Sequence, residues 1–162
     1  MTRAPIRLFA VILAIQALIL VGMSIGRETT LLRDDTVILQ TVPVDPRDLL
    51  RGDFVVLRYE ISSLSVSQAN PGDTVFVELV EDSDGQWVAA GADTSINPDW
   101  DRFIRGTQIS EGNIEYGIEA YFVPEGRGLE IERAQDVDVV VALDEGGNAV
   151  IKEIIVDGNV WD

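Results

Sequence analysis

Residues 52–62 read GDFVVLRYEIS, and within them Val55, Leu57, Tyr59 and Ile61 alternate with Phe54, Val56, Arg58 and Glu60. Successive side chains of a strand point to opposite faces, so this alternation predicts a β-strand with one strongly apolar face. Gly52 can take positive φ where the preceding loop turns into the strand, and Asp53 can accept backbone N–H groups at that turn. Upstream, Thr36 to Val42 (TVILQTV) predicts a strand ended by the Pro43–Pro46 segment. Asp45-Pro46 followed by Arg47-Asp48-Leu49 predicts a single helical or turn-like step.

Downstream, a polar loop at Ser62 to Gly72 leads to Asp73–Glu81 and Gln86–Ala90, which flank Asp82-Ser83-Asp84-Gly85 as a hairpin. The stretch Trp100 to Gly106 predicts a further strand. From Asn113, the residues Ile114, Tyr116, Ile118, Ala120 and Phe122 alternate with Glu115, Gly117, Glu119, Tyr121 and Val123, and Pro124 ends that run. Leu129 to Ala134 has the composition of one or two helical turns. Val137, Val139, Val141 and Leu143 share a face, and Val150 to Val156 returns beyond Asp144–Asn148 as a partner strand. The expected fold class is mainly β, a compact antiparallel β barrel or sandwich with one or two short helices.

A different pattern precedes all of this. Leu8 to Ile25 (LFAVILAIQALILVGMSI) is eighteen residues without a charge, with Gln16 as its one strongly polar side chain. At 1.5 Å per residue it makes about 27 Å of helix, close to the thickness of a bilayer's hydrocarbon core. The rival is a cleaved secretory signal, for which Gly22 and Ser24 supply small residues, but the apolar run exceeds the usual h-region. The expected organisation is a tail at 1–7, a transmembrane helix at 8–25, a stalk at 26–35 and an acidic β domain at 36–162. Arg3 and Arg7 on one side nearly balance Arg27 and Arg33 on the other, so charge bias decides little. The short tail is the easier side to leave behind, which puts the domain outside the cytoplasm.

Composition narrows the chemistry. There are 12 Lys and Arg against 28 Asp and Glu; only Arg3 and Arg7 precede the apolar stretch, so the residues beyond it carry 10 against 28, a net −18. A field of that sign repels phosphates, so nucleic acid is not an expected partner. Acidity of this degree is read first as a solubility or salt adaptation, ahead of an acidic recognition surface. The chain has neither cysteine nor histidine. That removes disulfides, Cys or His zinc sites, a catalytic thiol and any Ser-His-Asp triad. The DxDG at Asp82–Gly85 is read as a turn rather than a calcium loop, since no acidic residue stands at the twelfth position of such a loop. No catalytic residue, cofactor or metal ligand is expected.

At RGDFVVLRYE the chain resembles the bacterial GDYXXLXY family, with Phe54 where the family's usual tyrosine stands. The lead-in VPVDPRDLLRGDF, the later YGIEAYFVPEGRGLEIE and the closing VALDEGGNAVIKEIIVDG look like family blocks in family order. The resemblance implies a single membrane helix, companionship with multi-spanning membrane proteins and no carried-over activity. On a common functional surface the matching residues would be Asp53, Arg58, Tyr59 and Glu60 in the first block and Tyr121, Glu125, Arg127 and Glu130 in the second. The physical account of the same residues is structural: Leu57 and Tyr59 fill a core face, and Glu125 or Glu130 pairs with Arg127 or Arg58. Phe54 lacks the family hydroxyl, so nothing there can act as acid, base or ligand.

More faintly, the VP…LLRGDFVVL segment resembles the nucleophile region of type I signal peptidases. That chemistry needs a serine just before the GD and a lysine of lowered pKa. Residues 44–48 contain no serine, and the sole lysine, Lys152, is followed by Glu153. The expected function is therefore a membrane-anchored extracytoplasmic interaction or accessory module, touching lipid through its helix and an integral membrane protein through its domain. The alternatives are a carboxylate-based hydrolase, for which Asp53 and Glu125 would have to meet in a pocket, and a divalent-cation-binding sensor.

Overall fold

A computed structural model describes residues 9, 12–18, 36–42, 54–124 and 126–161. Residues 9 and 12–18 are helical, with Phe9, Ile12, Leu13, Ile15 and Leu18 all exposed. Among the described residues no helix is long and apolar enough to cross a membrane. The remainder of the expected span, the stalk and the Pro43–Gly52 step lie outside the described residues.

The rest is antiparallel β. Strand β1 (Thr36–Gln40) pairs with β8 (Val137–Leu143), β8 with β9 (Ala149–Val156), and β9 with β10 (Asn159–Val160). A second sheet runs β4-β3-β5-β6, built from β3 (Thr74–Glu81), β4 (Trp87–Asp93), β5 (Phe103–Ser110) and β6 (Asn113–Glu115). A separate two-stranded ribbon pairs β2 (Phe54–Val56) with β7 (Ala120–Phe122). A short helix, Gly128–Glu132, follows the ribbon. Among the described residues the sheets do not close into a barrel.

The alternation rule places the core correctly along most strands. Val75, Val77 and Leu79 of β3 are buried while their neighbours are not, and Val37 and Leu39 of β1 are fully buried. These merge with Ile104, Ile114, Val139, Val141, Leu143 and Ile154 into one apolar cluster. The two large sheets are tied by more than side chains: the Arg105 N–H in β5 donates to the carbonyl of Gly147 in the β8–β9 loop at 2.8 Å. Gly147 sits at φ +77°, and a Cβ there would lie 2.8 Å from Phe103 Cδ2 and 2.9 Å from the Arg105 nitrogen. Only a residue without a side chain permits that approach.

Three expectations need correction. The strand expected from residue 54 to 61 is regular only over Phe54–Val56; Tyr59 then makes an isolated bridge to Thr41, and Glu60–Ser62 forms one 3-10 turn. Its facing nevertheless holds, since Val55, Leu57, Tyr59 and Ile61 are all buried. The run from 113 to 123 is two strands, not one. Gly117 takes φ +79° between them, and the Tyr116 N–H donates to the Glu119 carboxylate. The break slips the alternation by one residue, so Ile114, Tyr116 and Ile118 face the core but Ala120 and Phe122 face outward, with Tyr121 and Val123 inside instead. Finally, the chain adds β10, absent from the sequence expectation. Asp157 and Gly158 both have positive φ, +48° and +79°, as a two-residue hairpin turn of the primed type demands.

A ribbon, a clamp and a tryptophan-centred cluster

The motif strand presents its two faces to different surroundings. On the inner face Leu57 and Tyr59 are enclosed, and the Tyr59 hydroxyl donates to the carbonyl of Ile118 at 2.7 Å. The hydroxyl of Tyr116 donates in the opposite sense, to the carbonyl of Ile61 at 2.5 Å. Burial, and secondarily the charge of Glu119, raises both phenols above their ordinary ionisation range, so each remains a neutral donor. Backbone bonds complete the seam: Leu57 N–H to Glu119 O and Val42 N–H to Arg58 O, each 2.7 Å. Tyr59, at zero exposure, thus fills the core face that its place in the alternation implies.

On the outer face, Phe54 stands directly opposite Phe122 in the ribbon register, with ring centroids 6.1 Å apart and planes tilted by 57°. Phe122 is 78% exposed, the most exposed large apolar side chain among the described residues. Arg58 and Glu60 are exposed as well. Asp53 and Glu125 lie outside the described residues, so the carboxylate pairing required of a hydrolase is not placed.

The second block does converge. Arg127 lies over the indole of Trp161 at 4.4 Å and pairs with Glu130 at 3.0 Å. The Trp161 Nε1–H donates to the same Glu130 oxygen at 3.0 Å, and Tyr121 meets the indole edge-on at 6.1 Å. Arg127's hydrogen bond, followed by that of Trp161, holds the Glu130 carboxyl below its usual range. Three expected residues, Tyr121, Arg127 and Glu130, therefore surround a tryptophan that the sequence reading did not single out. Its only signal was a large aromatic five residues beyond the expected Val150–Val156 strand. Trp161 N–H also donates to Ile154 O at 2.8 Å, which fastens this cluster to β9.

Elsewhere some of the acidic side chains brace local turns. Asp82 Oδ1 accepts from the N–H groups of Asp84 and Gln86, and Asp144 Oδ1 from those of Gly146 and Asn148. Among the described residues no group of three or more acidic side chains is arranged to hold a metal ion. Asp138, partly buried in β8, has its carboxyl raised by desolvation and by the nearby Asp136, against a hydrogen bond from Gln86.

A model of the family described as GDYXXLXY protein matches residues 16–154. The chain belongs to the GDYXXLXY family. Neither a curated protein nor a solved structure matches it. Within this member the motif's leucine and final tyrosine positions, Leu57 and Tyr59, are core and clamp, whereas its first aromatic position, Phe54, belongs to the outer surface.

Proposed function

We propose that this GDYXXLXY protein is a membrane-anchored extracytoplasmic module that docks an integral membrane partner through the outer face of the β2–β7 ribbon. The observation that carries the reading is the Phe54–Phe122 pair: a short ribbon whose inner face is locked into the core holds two phenylalanines side by side on its outer face, one of them 78% exposed. Exposed aromatics set on a rigid backbone are the residues from which interfaces draw most of their energy. The eighteen uncharged residues at Leu8–Ile25, and the exposure of Phe9, Ile12, Leu13, Ile15 and Leu18, support an anchor in lipid. Anchoring confines the search for a partner to a surface and raises the effective concentration of the domain. The net −18 of the remainder supports a partner that is not nucleic acid.

The test is a photo-activated cross-linker placed at position 122 of the full chain in its native membranes. Adducts to an integral membrane protein, lost when Phe54 is changed to Ser, are the expected result. Adducts confined to copies of the chain, or release of the chain by an alkaline wash, would overturn the reading.

A further inference from the structure

A cavity of about 520 Å³ opens between the loop 65–71 and the β5–β6 turn, lined by Ser65, Val66, Ser67, Gln68, Gln108 and Glu111 among others. One of its lining residues, Gln108, carries an unsatisfied buried acceptor. Gln108 is 2% exposed; its Nε2–H donates to the carbonyl of Ser110 at 2.6 Å across the bulge in β5. Because a carbonyl faces that atom, it must be the nitrogen, and the other amide atom must be Oε1. Oε1 is buried and has no hydrogen-bond partner, the sole side-chain oxygen or nitrogen of that kind among the described residues.

Buried acceptors are nearly always satisfied, so an orphan on a residue that lines a cavity calls for a donor. The rest of the lining says which kind. No lysine or arginine lines the cavity; its one formal charge is the carboxylate of Glu111, and two serine hydroxyls and the Gln68 amide supply further acceptors. The surrounding field is strongly negative, with −18 after the apolar stretch. An anion is repelled there and a donor-rich cation is drawn in. The volume exceeds what a bare ion or one water needs and falls within the range of small-molecule sites.

We propose that this cavity binds a primary alkylammonium group, with Glu111 neutralising its charge and Gln108 Oε1 accepting one of its N–H bonds. The terminal torsion of a glutamine is broad, so binding turns Oε1 toward the cavity, with Nε2 swinging by the same angle on the planar amide. The two serine hydroxyls accept the remaining N–H bonds. Such a group is carried equally by a polyamine and by a lysine side chain. The proposal is independent of the docking face on the ribbon.

The test is two-dimensional NMR of the full chain in detergent, titrated separately with spermidine, with Nα-acetyl-lysine amide and with glucose. Both amines are expected to shift resonances of residues 65–71 and 108–112, including the Gln108 side-chain amide, and the stronger response identifies the source. Glu111→Gln, at an exposed turn, is expected to weaken amine binding roughly three- to fivefold without altering the spectrum elsewhere. Gln108→Met keeps the volume and removes the acceptor, and is expected to weaken it as well. The proposal is overturned if neither amine shifts these residues, if glucose shifts them equally, or if the shifts scatter over the acidic surface and ignore Glu111→Gln.

Discussion

Tyr59 and Tyr116 clamp one another's segments: the phenol of Tyr59 donates to Ile118 O, and the phenol of Tyr116 donates back to Ile61 O. The motif segment and the segment between β6 and β7 are thereby joined where neither is a regular strand. Without the two hydroxyls, two buried carbonyls lose their partners, and a buried carbonyl left unpaired is expensive.

Tyr59→Phe and Tyr116→Phe keep the ring and delete the donor, so each is expected to destabilise by about 1–3 kcal/mol. Because they brace one seam, the double variant should differ from the sum of the two by at least about 0.5 kcal/mol. Urea midpoints at constant slope measure this. The pH dependence has a definite sign. A phenol whose folded pKa is raised by burial binds its proton more tightly folded than unfolded, so stability falls as pH climbs above the ordinary value of 10.0. Alkaline unfolding should be blunted in the two variants relative to their own stability at pH 7.

Much of this seam was readable beforehand and part was not, for a reason that Gly117 exposes. Strand alternation assigned Val55, Leu57, Tyr59 and Ile61 to the core because burial follows a two-residue period even where pairing lapses. The same period failed after Ile118, since the turn around Gly117 slips the alternation by one residue before β7, and no pattern of apolar letters records a dihedral angle. Phe122 therefore reads as core in the sequence and stands outside in the fold. Trp161 was invisible for another reason: its partners Arg127 and Glu130 are about thirty residues away, and such meetings are settled by topology alone.

Two glycines at similar φ separate steric need from backbone strain. Gly147 at φ +77° has Phe103 and the Arg105 nitrogen within 3 Å of a virtual Cβ, whereas Gly117 at φ +79° has nothing within 4 Å. Gly117→Ala should cost about 1 kcal/mol for the left-handed backbone alone. Gly147→Ala adds overpacking against backbone that cannot retreat, roughly 1–3 kcal/mol more. Thermal melts of the two variants should differ accordingly, and equal melts would show that the β8–β9 loop yields.

Glu130 and Asp138 should act oppositely on the acid limb of stability. The Glu130 carboxyl is held below its ordinary value by Arg127 and Trp161, so its contribution is present above that value and is lost as pH falls beneath it. Glu130→Gln is expected to remove that part of the acid transition and the accompanying change in Trp161 fluorescence, with Trp161→Phe as the control. Asp138 is raised by desolvation and by Asp136, so its charge opposes folding as pH rises through its titration. Asp138→Asn should raise the melting temperature at pH 7 and leave it little changed at pH 3.

Phe54 offers the sharpest separation of scaffold from surface, because restoring the family tyrosine there adds one hydroxyl and nothing else. In the ribbon Phe54 lies across from Phe122 on the outer face, half-buried, with its neighbour almost bare. A hydroxyl added there has water within reach, so Phe54→Tyr should change stability by no more than about 0.5 kcal/mol. Phe122→Ser should likewise leave stability within about 0.5 kcal/mol, since that side chain buries little. If the ribbon is a docking face, the two variants part company in membranes once the cross-linker is moved to the exposed Ala120 on the same face: Phe54→Tyr keeps the cross-linked partner and Phe122→Ser loses it. Urea midpoints measured beside the cross-links decide the matter. A Phe122→Ser chain that unfolds early would mean that its ring supports the fold, and one that folds and cross-links normally would mean that the pair docks nothing.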